Sequence, residues 1–252
     1  MISVCMATFN GAKYIQKQID SILIQLSQQD ELIISDDGST DPTVEIINNF
    51  HDDRIKLLSH KSNKKLLRSK SGTFKEVAAN FENALNVARG DFIFLSDQDD
   101  IWSKNKVKRC LELMETYDIV MTNFSIINEN DTITTMKFYN KSPINQALLK
   151  NIKASHFLGC CMAFNRSVLN YVLPFPKKLV GHDFWIGCLG VLKFKFCFID
   201  EPLHSYRRMG ENVSTSTGKS KNLLIYKLYY RIVFLFQILC HLIKKGKHDE
   251  KK

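Results

Sequence analysis

No pair of cysteines in this sequence has metal-ligand spacing. The seven cysteines are scattered, and the one adjacent pair, Cys160-Cys161, is of a kind that rarely bridges. A disulfide-stapled scaffold is thereby excluded, and all seven are expected as reduced thiols in a cytoplasmic protein. No basic leader or cleavage site accompanies the apolar start at Ile2 to Met6, which reads as a core strand rather than a signal peptide. Internal repeats and low-complexity tracts are absent. Residues 5 to 14 hold a single glycine, so the Gly-rich loop that a nucleotidyltransferase would use to hold a triphosphate is missing. No recognised nucleic-acid motif occurs, and nucleic acid is not an expected partner. The most apolar stretch, Leu223 to Ile243, is broken by Lys227, Arg231, Gln237 and His241. A membrane-crossing helix wants ~20 apolar residues with few charges.

What is present is ordinary in bulk and uneven in charge. At 252 residues, 44% hydrophobic and 24% charged, the chain suits one large α/β domain or two small ones. The formal charge of +9 suggests an anionic partner such as an acidic membrane surface or a phosphorylated ligand. Much of the excess lies in the tail, where nine Lys or Arg between Lys219 and Lys252 face two acids.

Strand and helix patterns alternate through the first half. Buried strands are expected at Ile2 to Met6, Glu31 to Ser35, Arg54 to Leu58, Asp91 to Leu95 and Asp118 to Thr122. Helical periods fall at Tyr14 to Leu26, at Val44 to Phe50 behind Asp41-Pro42, at Phe74 to Arg89 with Gly90 as C-cap, and at Lys104 to Tyr117. Residues 59 to 73 read as a loop. Such alternation implies a mostly parallel sheet, whose ligands bind at the carboxyl ends of the strands. Three segments sit there: Ala7-Thr8-Phe9-Asn10, Asp36-Asp37-Gly38-Ser39 and Ser96-Asp97-Gln98-Asp99-Asp100. The second half is less regular. Loops with a hairpin and a short helix are expected from Asn123 to Ser155, a helix from Gly181 to about Leu192, a strand from Phe194 to Ile199, and strand then loop from Leu203 to Ser214.

Asp97 and Asp99 flank one residue after a buried strand. Hard cations such as Mg²⁺ take carboxylate and phosphate oxygens, so this turn suits a metal bridging protein and diphosphate. A solvated acidic turn would look the same in isolation. Asp37 is acceptor-only when ionised, which suits the imide N–H of uracil or thymine, and equally suits a capped helix start. Asp183, in Gly181-His-Asp-Phe-Trp185, could take a proton from an acceptor hydroxyl or cap its helix.

Five stretches together resemble the inverting family 2 glycosyltransferases of GT-A fold. They are Val4 to Gly11, Ile34 to Asp41, Ala88 to Trp102, Gly181 to Trp185 and Tyr206 to Asn212. The resemblance implies an α/β GT-A fold: a mostly parallel nucleotide-binding sheet flanked by helices, an irregular acceptor-binding half and a C-terminal amphipathic helix. It implies a catalytic domain over 1–214, divided into a nucleotide-binding half, 1–122, and an acceptor-binding half, 123–214, followed by a basic tail, 215–252. Ala7, Thr8 and Phe9 would line the nucleobase and ribose pocket, and Asp37 would bind the base. Asp97 would contact ribose or metal, Asp99 would be the main ligand of Mg²⁺ or Mn²⁺, and Asp183 would deprotonate the acceptor. His182 departs from the family's usual Glu, and Met209 from its usual His. The Arg of the family's Ala-Arg-Asn segment is absent from Ala78 to Glu82, with Lys75 or Arg68 as substitutes. His204, Arg207 and Arg208 are candidates to contact the diphosphate in place of the missing His, and Arg207 is assigned to the nucleotide sugar. Ser-Asp-Gln-Asp-Asp-Ile-Trp is similar to transferases that build bacterial surface polysaccharide, O-antigen or capsule, rhamnosyltransferases among them. That implies dTDP-L-rhamnose or a UDP-hexose as donor and a glycan or undecaprenyl-diphosphate-linked acceptor.

Plotted at 100° per residue, Lys227, Arg231, Gln237, His241, Lys244 and Lys245 fall within about 140° of one another. An amphipathic helix with this basic stripe on anionic lipid is expected, giving peripheral contact with the inner face of the cell membrane. Packing on the catalytic domain or at a dimer seam is the alternative. The competing functions are a sugar-phosphate nucleotidyltransferase and a non-catalytic, membrane-associated nucleotide-sugar-binding module.

Overall fold

The structure, a computed structural model, describes residues 1–62, 70–144, 147–153, 156–176, 181–208 and 224–249. Expectations at Arg68, Met209 and the rest of 209–214 lie outside the described residues. In chain order the elements are β1 (Ile2–Thr8), α1 (Ile15–Leu23), β2 (Glu31–Asp36), α2 (Thr43–Asn48), β3 (Ile55–Ser59), α3 (Lys70–Val87), β4 (Phe92–Ser96), β5 (Ile101–Trp102), α4 (Lys106–Met114), β6 (Ile119–Ile127), β7 (Ile133–Thr135), α5 (Leu148–Lys153), a 3-10 turn (Gly159–Cys161), β8 (Met162–Asn165), α6 (Arg166–Val172), α7 (His182–Lys193), β9 (Phe196–Arg207) and α8 (Leu224–Asp249).

The sheet order is β3-β2-β1-β4-β8-β6-β9-β5, with β7 added to β6. The four strands of the first half, β3, β2, β1 and β4, are all parallel. Strand β8 runs antiparallel between β4 and β6, and β6 and β9 are parallel again. This is the α/β architecture expected from the sequence, a mostly parallel sheet flanked by helices. Successive strand residues point to opposite faces, and both faces are covered. Cys5, Ile33, Ile93 and Leu95 enter one core with Phe81, Trp185 and Phe234. Val4, Met6, Leu32, Ile34 and Phe94 enter the other with Ile15, Ile19 and Cys110. Burial on both faces is why these strands read as unbroken apolar runs.

Register brings the strand ends together. Thr8 pairs with Asp36 across β1 and β2, and Met6 with Ser96 across β1 and β4. The three turns that follow therefore open on one edge.

Several elements differ from expectation. Gly90 is not a helix C-cap, since α3 ends at Val87 and Gly90 has no positive φ. It is small because β1 passes beside it: a Cβ there would lie 2.5 Å from the Ser3 nitrogen. Strand β6 runs on to Ile127 although Asn123 and Ser125 are polar, because Asn123 bonds to the Tyr139 carbonyl and to Asp200, and Ser125 to Ser205. Strand β9 is one strand of twelve residues, where two pieces were expected. Pro202, which suggests a break, sits at a register shift opposite Asn123, where a missing N–H is tolerated.

The tail is helical as expected, but Arg231, His241 and Lys245 of its basic stripe turn toward the domain, while Lys244 is exposed. Phe234 and Ile238 are buried in the core. Beside them Arg231 donates to the Lys153 carbonyl, His241 to the Tyr171 carbonyl, and Lys245 to the Asn170 carbonyl. Those carbonyls belong to the last turns of α5 and α6, which have no partners within their own helices. Cations are favoured at such negative helix ends, so these three side chains turn inward to cap them.

Candidate active site

The first turn leaves β1 at Thr8. Thr8 Oγ1 donates to Gln98 Oε1 at 2.5 Å, the Phe9 N–H donates to the same oxygen at 2.9 Å, and Gln98 Nε2 donates back to the Phe9 carbonyl at 3.1 Å. Gln98, which sequence reasoning passed over, thus welds the first turn to the third. Gly11 is required here, because a Cβ would collide with the Gln98 side chain. Ala7 is half-buried, Thr8 buried, and the Phe9 side chain stands 49% exposed at the mouth of the crevice.

The second turn satisfies itself. Asp36 accepts the Gly38 and Ser39 N–H groups at 3.0 and 2.9 Å and the Ser39 hydroxyl at 2.5 Å. Asn10, in the left-handed region at φ 49°, accepts from Thr40 N and ties the first turn to the second. Asp37 is the freer of the pair. One of its oxygens accepts the Ser62 N–H at 2.8 Å, with His60 Nε2 4.0 Å away.

The third turn gathers negative charge. Oxygens of Asp97 and Asp100 and the Cys160 sulfur lie within 4.8 Å of one another. Burial pushes Asp97 up to about 6, and the Asp183 charge adds to the rise, against the Cys160 thiol bond and Lys106. Burial and then Asp97 push Asp99 up to about 7. Asp100 is raised well above the carboxylate range by burial and by both neighbours. Its Oδ1 accepts the Arg207 N–H at 3.0 Å, while its buried Oδ2 has no partner among the described residues. Asp183 opens α7 and bonds the next N–H, of Phe184, at 2.7 Å; burial raises it to about 6. The charge of Asp183 is felt by Asp97, and that of Asp97 by Asp99.

Two cations offset part of this charge, and the sequence assigned neither to that role. Lys106 is fully buried, donates to the Cys160 carbonyl at 2.7 Å and lies 4.2 Å from the Trp102 ring centre. Arg207, expected on the diphosphate, differs from that expectation. Its guanidinium is buried, donating to the Asp99 and Asn128 carbonyls at 2.8 and 2.9 Å, pairing with Asp131 at 2.6 Å and covering the Tyr14 ring. Its donors are directed into the protein and hold the acidic turn in place, which leaves Arg208 as the exposed cation at that strand end. His204 is buried and held well below its ordinary value by desolvation, so its 3.9 Å approach to Asp100 is not an ion pair. Cys160, Cys161 and His204 do converge despite their sequence separation, but the hydrogen bond with Cys161 and then burial raise the Cys160 thiol well above its ordinary value. His182 stacks on Phe81 at 4.0 Å and is pushed down to about 3 by burial; its unpartnered Nε2 points at Gly159, where a Cβ would lie 2.7 Å away.

Four buried or half-buried carboxylates against two cations form an oxygen-rich, under-neutralised donor set. The orphaned oxygen of Asp100 and the raised carboxyls fit a hard divalent cation.

The chain matches the model described as Glycosyl transferase family 2 over residues 3–173. It is 32% identical over 197 residues to UDP-Glc:alpha-D-GlcNAc-diphosphoundecaprenol beta-1,3-glucosyltransferase WfgD of Escherichia coli, covering 77% of this chain and 70% of that protein. Among solved structures it resembles S. aureus TarS 1-349 in complex with UDP-GlcNAc, with TM-score 0.62 and 21% identity over 87% of this chain and 61% of that one. It also resembles the mannosyltransferase PcManGT from Pyrobaculum calidifontis in complex with GDP-Man and Mn2+, with TM-score 0.53 and 18% identity over 82% and 56% of the two chains. The chain therefore spans less than two thirds of either solved chain.

Proposed function

Because the chain belongs to glycosyl transferase family 2, we propose that it transfers a hexose from a nucleotide sugar, with inversion, to a hydroxyl of a lipid-linked glycan in the building of bacterial surface polysaccharide. The observation that carries this reading is the gathering of Asp97, Asp99 and Asp100 after β4 beside Asp183 at the start of α7, all four raised by burial and the first three also by a neighbouring carboxylate. A catalytic unit of 1–214 divides at about residue 122 into donor and acceptor halves, with 215–252 as the tail.

In this reading Asp37 accepts the imide N–H of the donor base, and Ala7, Thr8 and Phe9 form the wall behind it. A UDP-hexose is favoured over dTDP-L-rhamnose, since WfgD is named for UDP-glucose and the TarS structure holds UDP-GlcNAc. Asp99 and Asp97 would hold Mg²⁺ or Mn²⁺, and there such an ion would supply neutralisation of the charge on the leaving diphosphate. Asp183 takes the proton from the acceptor hydroxyl as that oxygen attacks the anomeric carbon and the bond to phosphate breaks. It must be ionised to do so, which requires a pH above about 6. Arg207 contributes by clamping the acidic turn through the Asp99 carbonyl. An acceptor linked to diphosphoundecaprenol, as WfgD is named for, would bring the enzyme to the inner face of the cell membrane as a peripheral protein.

The test is transfer by the full chain from UDP-glucose, UDP-galactose and dTDP-L-rhamnose to GlcNAc-diphosphoundecaprenol with Mn²⁺. Product from a UDP-hexose that disappears with EDTA is expected. Pyrophosphate release from a nucleoside triphosphate and sugar phosphate, without any transfer, would overturn the reading.

A further inference from the structure

The inward turn of the basic stripe leaves α8 with an unusual outer face. Tyr229, Ile232, Phe236, Leu239 and Ile243 are each between 57% and 66% exposed. Their spacings of three and four residues put them in one stripe. From Tyr229 to Ile243 that stripe runs about 21 Å at ~1.5 Å per residue. A soluble helix normally buries such a stripe. Here the opposite side, with Phe234, Ile238 and the capping cations, is the one against the domain.

The surroundings say what covers it. Lys150 and Lys153 are exposed on α5, whose last carbonyl Arg231 caps, and Lys244 is exposed beside Ile243. An apolar stripe with a cationic rim on a chain of charge +9 complements an anionic lipid surface. No helix among the described residues is long and apolar enough to cross a membrane, so α8 would lie in the surface and not span it. Five side chains offer on the order of 500 Å², short of the ~800 Å² per partner in a standard protein interface.

Resting on the lipid-linked acceptor reading, we propose that this outer stripe of α8 inserts into one leaflet of an anionic bilayer and holds the acceptor end of the site at the lipid surface. The coupling is short. Phe234 of α8 stacks on Phe184 with ring centres 4.2 Å apart, and Phe184 follows Asp183 directly. The helix that meets lipid thus seats the residue beside the base. Arg231, His241 and Lys245 of the basic stripe expected on the lipid serve as the joint between α8 and the domain, and Lys244 stays on the rim.

The test is flotation of the full chain with phosphatidylglycerol–phosphatidylethanolamine vesicles, against phosphatidylcholine vesicles. Wild type is expected to float with the first. F236E/L239E, which changes exposed positions only, is expected to lose at least about tenfold in binding with an unchanged melting temperature. That variant should keep transfer to a short, water-soluble acceptor and lose transfer to a vesicle-embedded one. K150E/K153E should weaken flotation several-fold, and more so at low salt. Undiminished flotation of F236E/L239E would overturn the proposal. So would wild type that ignores vesicles, or a wild-type dimer in light scattering that F236E/L239E dissolves. Wild type that floats but glycosylates no lipid-linked acceptor would overturn the acceptor reading and leave this surface standing.

Discussion

The two acidic turns at the sheet edge are alike in sequence and opposite in chemistry. Asp36 in the second turn has three donors of its own, two from backbone and one from Ser39. The third turn has almost none: Asp100 receives one N–H and leaves an oxygen unpartnered among the described residues, while burial raises Asp97 and Asp99, with the Asp183 charge adding to the first and the Asp97 charge to the second. A carboxylate that the backbone satisfies is part of the architecture. A carboxylate that burial destabilises is waiting for charge from outside.

Four experiments bear on that contrast. Asp183→Asn should lower kcat by about 10²–10⁴-fold while donor affinity, read by calorimetry, stays the same. Equal loss of donor binding would move Asp183 out of the base role. Asp99→Asn should cost about 10²–10³-fold in transfer, yet the metal-free protein should melt no lower than wild type, because a repelling charge has gone. A large drop in melting temperature would make Asp99 structural, like Asp36. Asp36→Ala should destabilise the fold by about 1–3 kcal/mol in urea denaturation, a loss that added Mn²⁺ does not restore.

The smallest effect is on pH dependence. Carboxyls raised in the folded state contribute stability that is present at low pH and is lost as pH rises through about 6 for Asp97 and Asp183 and about 7 for Asp99. The metal-free protein should therefore melt a few degrees lower at pH 8 than at pH 5.5 from this source, a shift that corresponds to about 1 kcal/mol or more. Mn²⁺ should raise the melting temperature at pH 8 and do little at pH 5.5, where protons occupy the same oxygens. A cation effect independent of pH would place the ion elsewhere.

Much of this was legible in the linear sequence. The strands β1, β2 and β4 announce themselves as apolar runs because both faces are buried, and the turns after them carry the acids. Asp183 was readable from its place before a helical period. What escaped was whatever depends on folding back. Lys106 looks like one more surface cation in Ser103-Lys-Asn-Lys-Val107, and only the approach of Cys160 from β8's side makes it a buried counter-charge. Arg207 was readable as a cation near the site, but not as a clamp, since Asn128 and Asp131 come from a hairpin with no motif. The wheel of α8 identifies two stripes without saying which meets the domain, and the orphaned carbonyls of α5 and α6 decide that.

Gln98 has a final consequence. Its amide joins the turn at Thr8 and Phe9 to the turn that carries Asp97 and Asp99, so neither can shift without the other. Bound as proposed, ion and nucleotide would be linked ligands, and linkage runs both ways: whatever factor the ion adds to nucleotide affinity, the nucleotide must return to the ion. A thermodynamic square of four titrations would close on one coupling constant, and Gln98→Ala should shrink that constant towards unity.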